Sequence, residues 1–361
     1  MNRQPASLGP VQPTGGEQAR VRRPGWRAFI AIMLAAFAWN LVLNLAGLWA
    51  PLWHLALFGN FVLIVILAER VGRGVPQHRR RLYERTLAFG FPVLALVSWQ
   101  LIVDAGILSP TWFPQPTRIA AALWDLTVSY DRFSETSLIG RPWLIPRQYS
   151  AEGFAGVWSL FAESHVWATL GRVLIGFVLG AVPGILLGTV MGVNQTVRLM
   201  LDTTLSAIYV LPKIAIFPIV MLMFADPFGE GPKIVVVALS VFFLMTINTM
   251  AGVRDIDPVF LMAGRNYGAS GLSLFRHVII PAALPVIFAG LRLALGTALI
   301  VIISVEFLRA KQGVGFMTFY YWEVLSPEKM YAGLFVVMAI GVGLTFGLQW
   351  VQRKVMPWSR D

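Results

Sequence analysis

Long apolar blocks separated by short polar breaks dominate this chain. A helix that crosses a bilayer needs about 20 mostly apolar residues. Eight blocks approach that length, at roughly 28–48, 52–68, 87–104, 167–191, 206–224, 233–251, 282–305 and 331–350. The pattern predicts an all-α polytopic membrane protein with about eight transmembrane helices. Blocks one and two are only a few residues apart around Trp49-Ala50-Pro51, which suits a tight helical hairpin. The run starting near Ala28 continues well past a short signal-peptide core and lacks a convincing cleavage site. Residues 1–27, rich in Pro, Gly and Gln, are expected as a disordered cytoplasmic tail.

One block is patterned for close packing. Gly176, Gly180, Gly184, Gly188 and Gly192 recur every fourth residue in the fourth predicted span. A stripe of glycines lets another backbone approach closely, which is how helices associate in lipid. Pro183 lies within this span and is expected to bend it.

Composition supports the membrane class. Hydrophobic residues make up 57% of the 361 positions and charged residues only 13%, against about 25% charged in soluble domains. A soluble enzyme or a disordered chain does not fit those values. Without Cys there is no disulfide framework, zinc–thiolate site or cysteine nucleophile, and four His leave little for a metal site. The net charge of +11 reads as topology once the charges are placed: 18 of 29 basic residues fall on the side of the N-terminal tail. Both termini are therefore expected in the cytoplasm. The basic cluster Arg79-Arg80-Arg81, in a loop expected over 69–86, sits where a juxtamembrane segment needs it, so nucleic acid is not an expected partner.

The most informative stretch lies between the sixth and seventh spans, over 255–281. It runs Arg254-Asp255-Ile256-Asp257-Pro258, then Met262-Ala263-Gly264-Arg265-Asn266-Tyr267-Gly268-Ala269-Ser270, then Phe275-Arg276-His277-Val278-Ile279-Ile280-Pro281. A short amphipathic helix from about Pro258 to Tyr267 is expected to stop at Gly268. A second short helix through Phe275 comes next, and Pro281 opens the next span. Two short helices with apolar faces on a cytosolic loop should dock on the membrane or on a partner's groove.

This arrangement resembles the EAA loop of binding-protein-dependent ABC transporter permeases, in which Glu-Ala-Ala, three residues, Gly, nine residues and Ile-x-Leu-Pro stand in order. Gly268 and Pro281 have that spacing, while Met262-Ala263-Gly264 stands where the family has Glu-Ala-Ala. The flanks resemble the branch importing nitrate, sulfonates, taurine and bicarbonate: Leu211-Pro212-Lys213, Asn248-Thr249, Gly290-Leu291-Arg292, and Glu306 with Gly313-Val314-Gly315.

The resemblance implies a type I ABC importer permease-like core over 87–351, after an extra N-terminal hairpin and basic loop over 28–86 and before a cytoplasmic tail at 352–361. Further implied are separate ABC ATPase subunits carrying ATP and Mg, a second permease copy, an extracytoplasmic solute-binding protein, and a bacterial cytoplasmic membrane location. In that scheme Ala263, Gly264, Arg265, Gly268, Ala269, Arg276 and Pro281 serve the ATPase contact or its geometry. No cofactor is expected on this chain, and it holds no Gly-x4-Gly-Lys-Ser/Thr phosphate loop of its own.

Charges at membrane depth are costly and are treated as functional candidates. Arg172, Lys213 and Arg292 fall inside predicted spans, and Glu306 ends the seventh. Three cations against one or two carboxylates favour an anion-tolerant pathway; pairing with carbonyls or a neighbouring carboxylate is the competing role for each cation. Arg172, nearest the outer edge, is placed to snorkel. The outer segment 126–162, rich in Trp, Tyr and Phe, either caps the pathway or lies on the bilayer surface. Its removal over 131–156 is expected to spare assembly and abolish uptake. A thiamine-precursor-like or other small heterocyclic substrate is the alternative within the family. An ion-coupled secondary transporter is the alternative outside it, with Asp104 and Glu306 as its only carboxylates.

Overall fold

The computed structural model describes residues 34, 38–43, 45–48, 51–131 and 136–358. The expected tail at 1–27, part of the first block and the last three residues lie outside the described residues. The chain packs as two units, one up to Pro110 and one from Thr111 onward.

In the first unit, α1 (Trp53–Gly72) and α2 (Gln77–Asp104) are joined by a short turn. The basic triplet is not in a loop: Arg79-Arg80-Arg81 occupies the first turns of α2, which begins ten residues before the apolar block. Basic side chains are compatible with helix, so hydropathy marks the hydrocarbon boundary and not the helix end. Asn40 and Asn60 exchange side-chain amide hydrogen bonds of 2.8 and 3.1 Å, tying the segment 38–43 to α1.

The second unit opens with α3 (Pro116–Val128), a two-residue hairpin of β1 (Tyr130–Asp131) with β2 (Thr136–Ser137), and α4 (Ile145–Glu152) and α5 (Phe154–Ala162). The described residues of 126–162 are stitched to the start of the next long helix. Leu138 is buried, its carbonyl accepts from the Ser164 hydroxyl at 2.9 Å and the Val166 amide at 3.1 Å, and Arg141 pairs with Glu163. Removing 131–156 would take the Leu138 and Arg141 contacts with it. Phe154 and Trp158 remain exposed, which matches the aromatic composition of a membrane–water interface.

The core of this unit is α6 (His165–Val193) laid along α9 (Glu230–Arg254). The glycine stripe is the contact. A Cβ on Gly184 would stand 2.8 Å from the Met245 Cβ, one on Gly188 2.8 Å from the Thr249 Cβ, and one on Gly180 would collide with the Ala238 carbonyl. Val237, Val241, Met245 and Thr249 answer the stripe from α9 at the same four-residue spacing. Despite Pro183, α6 remains one continuous helix.

The block at 206–224 is not one straight helix. Residues there form α7 (Gln195–Val210) and α8 (Lys213–Met221), bent by 94° at Leu211-Pro212. Pro212 has no amide hydrogen and biases Leu211 toward an extended backbone; Pro218, inside α8, does not break it. Among the described residues six helices are long and apolar enough to cross a membrane, and seven if the bent pair counts as one.

After α10 (Pro258–Asn266), the chain runs through α11 (Gly271–Leu274), a π-helical turn (Phe275–Ile279) and α12 (Ile280–Arg309) without interruption. Pro281 therefore does not open the span. It lacks the amide that would bond the turn before it, and the widened turn immediately upstream absorbs that loss. Two more helices complete the chain, α13 (Val314–Glu323) and α14 (Pro327–Val355). Gly252 against Val286 and Gly290 against Asn248 set the α9–α12 crossing, at 2.8 and 2.9 Å from an added Cβ.

Candidate functional site

The elbow between α9 and α12 is built as its residues require. The Asp257 carboxylate accepts from the Val259 amide at 2.9 Å and caps α10. At the other end Gly268 takes φ +83°, its amide bonds the Arg265 carbonyl at 2.9 Å, and the Ala269 amide bonds the Gly264 carbonyl at 2.9 Å. That reciprocal pair is the Schellman stop, which needs a left-handed residue and so favours glycine. Gly264 packs inward: an added Cβ would stand 2.8 Å from Val278 and 3.0 Å from Leu274. Ala263, Arg265 and Arg276 are exposed, while Ala269 and Pro281 are half-buried. Tyr267 is 93% exposed, with Val259, Phe260, Met262 and Leu272 also open. Beside it, Arg254 donates to Asp255 at 2.7 Å and holds that carboxyl below the ordinary carboxylate range.

A second constellation lies at the opposite end of α12. Glu306 is fully buried. Its carboxylate accepts from Arg172 Nη1 at 2.6 Å, the Thr169 hydroxyl at 2.9 Å and the Gly315 amide at 2.8 Å. Gly313 (φ +131°) and Gly315 wrap the carboxyl so closely that a Cβ on either would collide with it. The Arg172 guanidinium, 5% exposed, also pairs with Glu230 and donates to the Gln312 carbonyl at 2.6 Å. Lys233 Nζ bonds Glu230 at 2.9 Å. Two cations and two carboxylates thus join α6, α9 and α12 with no net charge.

This corrects the snorkelling expected of Arg172, which turns inward because Glu306 and Glu230 wait there. It also leaves Glu306 without the free carboxylate that an ion-coupled carrier would need, and Asp104 accepts from Gln100 at 2.9 Å. Sequence reasoning did not single out Thr169 or Gln312, and it held Glu230 and Lys233 only as part of the family-like run Phe228-Gly229-Glu230-Gly231-Pro232-Lys233. A second signal was the spacing of Glu306 from Gly313 and Gly315, whose reason is the carboxylate between them.

Lys213 has a local partner set. Its ammonium donates to the carbonyls of Ile208 (3.1 Å), Tyr209 (2.7 Å) and Leu211 (2.9 Å), closing the end of α7 at the break. All three carbonyls precede Pro212, and the helix after it runs through Pro218 unbroken. Replacing Lys213 by Met is expected to cost about 1–2 kcal/mol, the worth of charge-assisted bonds, with Lys213→Arg retaining most of it. Thermal unfolding in detergent checks this, and an unchanged midpoint in the Met variant would refute the capping role.

Arg292 differs from both. It lies in the middle of α12, exposed, and donates to the Gln352 side chain on α14 at 3.2 Å. The four sequence candidates therefore do not converge: Arg172 and Glu306 form one cluster, Lys213 caps a break, and Arg292 stands apart.

Comparison with known proteins places this arrangement of apolar helices and a capped elbow in a family. Residues 184–357 match the family described as binding-protein-dependent transport system inner membrane component, and the chain belongs to that family, the multi-pass inner membrane permeases of ABC importers. It is 30% identical over 275 residues to the permease protein SsuC of Escherichia coli K12, named for aliphatic sulfonates transport, covering 76% of this chain and 92% of that one. The taurine transport system permease protein TauC of the same organism is 29% identical over 79% of this chain and 96% of its own length. The nitrate import permease protein NrtB of Synechococcus elongatus is 27% identical over 73% of this chain and 88% of its own.

Proposed function

We propose that this permease passes a small anion of the sulfonate or nitrate type, delivered to its outer face by a separate solute-binding protein. It works with a second permease copy, and ATP and Mg act on separate ATPase subunits that receive the elbow around Gly268. Both termini lie in the cytoplasm of a bacterial cell, the side that the basic residues favour.

The observation that carries this reading is the continuity of the elbow with the long span. From Gly271 to Leu308 the helix is unbroken, a lever of roughly 55 Å at 1.5 Å per residue. One end carries the exposed apolar surface of Tyr267 and Leu272, suited to a groove in the ATPase. The middle carries Arg292 and the far end Glu306, held in the charged cluster. A push on the elbow reaches the middle of the membrane through hydrogen-bonded backbone. Missing the family's Glu at Met262, the contact rests on apolar docking and on Arg265 and Arg276. The relatives named for taurine, sulfonates and nitrate supply the solute class. Arg172 sits in an ion-pair cluster and Lys213 binds three carbonyls, while Arg292 is exposed with one neutral partner, Gln352, so Arg292 is the cation assigned to the anion.

The test is ATP-driven uptake of taurine, an alkanesulfonate and nitrate in vesicles holding the permease with its co-purified ATPase and binding protein. Arg292→Gln is expected to lower uptake at least tenfold while the solute affinity of the binding protein is unchanged. Gly268→Val is expected to release the ATPase, because a β-branched residue resists φ +83°. Solute accumulation by the permease alone under a proton gradient would overturn the proposal.

A further inference from the structure

From the structure we infer that α1 and α2 hold an anionic phospholipid in the leaflet next to the turn between them, which makes this helix pair a lipid-binding element. The two helices touch near that turn, where the Tyr83 hydroxyl bonds the Ala68 carbonyl and the Tyr83 ring lies 3.0 Å from a Cβ placed on Gly72. They meet again deeper, where the Phe61 and Phe91 rings sit edge to face with centroids 5.8 Å apart. A groove of about 970 Å³ runs along them.

Its chemistry changes along its length as a phospholipid's does. At the turn end stand Arg73 and Arg80; deeper, the walls are Ile64, Val65, Leu87 and Leu94, all exposed. A Cβ placed on Gly90 meets nothing within 4 Å, so this glycine leaves the wall open where a chain would lie. From Arg80 to Leu94 the wall is about 21 Å long at 1.5 Å per residue, enough for a headgroup and one leaflet of about 15 Å.

Charge selects the headgroup. Residues 69–85 carry six Arg and two Glu, a local excess of +4. Arg73 pairs with Glu69 and Arg80 with Glu84, but all four side chains are more than 60% exposed, and ion pairs that open to water hold little energy. A phosphate arriving with its chains already buried competes well for those guanidinium groups, which bind it bidentately. A neighbouring protein helix would need acidic groups at the turn and apolar ones below; an anionic phospholipid brings both.

The test uses the full-length permease in nanodiscs of phosphatidylglycerol and phosphatidylcholine at one to three, with retained lipid counted by native mass spectrometry after brief detergent extraction. Wild-type protein is expected to retain phosphatidylglycerol several-fold above its bulk share. The double variant Arg73→Gln/Arg80→Gln should return the ratio to bulk. Gly90→Leu should do the same with no change of charge, by filling the groove. Arg79→Gln/Arg81→Gln, which removes equal charge outside the groove, should keep most of the enrichment. Three results would overturn the inference: retention at the bulk ratio in wild type, equal loss in both double variants with Gly90→Leu unaffected, or displacement of the enriched lipid by inorganic phosphate. Because Gly90→Leu and the arginine pair act independently, failure of one variant to fold leaves the other decisive.

Discussion

Glu306→Ala should lower the thermal unfolding midpoint of the purified permease by roughly 10 °C, an effect of about 3–5 kcal/mol. The change removes the carboxylate facing Arg172, a side chain only 5% exposed, and leaves the Thr169 hydroxyl and the Gly315 amide aimed at a void. Breaking one side of a buried pair costs far more than the pair is worth, because the surviving charge and donors remain desolvated. Arg172 keeps Glu230, but that carboxylate is 55% exposed and screened by water, so it offsets little of the loss. Glu306→Gln keeps the shape and two of the acceptor contacts and should fall between. In a double-mutant cycle with Arg172→Met, the combined loss should be smaller than the sum by about 1 kcal/mol or more. A midpoint within about 2 °C of wild type for Glu306→Ala would remove the cluster from any structural role.

Gly180→Leu should abolish recovery of folded protein. Its Cβ would fall on the Ala238 carbonyl and lie 2.8 Å from the Val241 Cβ, so α6 and α9 cannot keep their spacing. Backbone has no rotamer to yield, and the helices have to separate along a contact that repeats from Gly176 to Gly192. Even Gly180→Ala is expected to cost about 1–3 kcal/mol, the range for overpacking. Gly171→Ala on the same helix is the control, since a Cβ there meets nothing within 4 Å; it should be neutral or slightly stabilising, because alanine is the better helix former. Size-exclusion profiles and unfolding midpoints of the three variants decide the matter. Equal behaviour of Gly180→Ala and Gly171→Ala would show that the stripe is not a contact.

Much of this molecule was legible from residue order, and the exceptions have physical causes. The glycine stripe announced a close approach, while its partner α9 lies some sixty residues away and leaves no local mark on the stripe. The stop at Gly268 was visible because a Schellman turn is closed by neighbours in sequence. Pro281 misled because proline favours the first turn of a helix, and no local signal announces the π-helical turn that lets α12 run through it. The bend inside the block at 206–224 was not legible, because hydropathy averages over a window and is blind to a 94° turn of the chain. The cap by Lys213 was half visible, since a lysine just past a helix end is a known carbonyl partner, yet its membrane depth pointed equally to a solute. Arg172 and Glu306 stand 134 residues apart, and nothing in either segment names the other.

The sequence by itself determined that this is a multi-pass membrane protein and where the elbow after α10 ends. Those properties are sums over adjacent residues: transfer into hydrocarbon adds along a helix, and a capping turn closes within six positions. The tertiary structure alone decided which charges are paired inside the protein. An ionised group in a low-dielectric interior is governed by whatever opposite charge lies within a few ångströms, and only the folded chain brings Glu306 and Glu230 to Arg172.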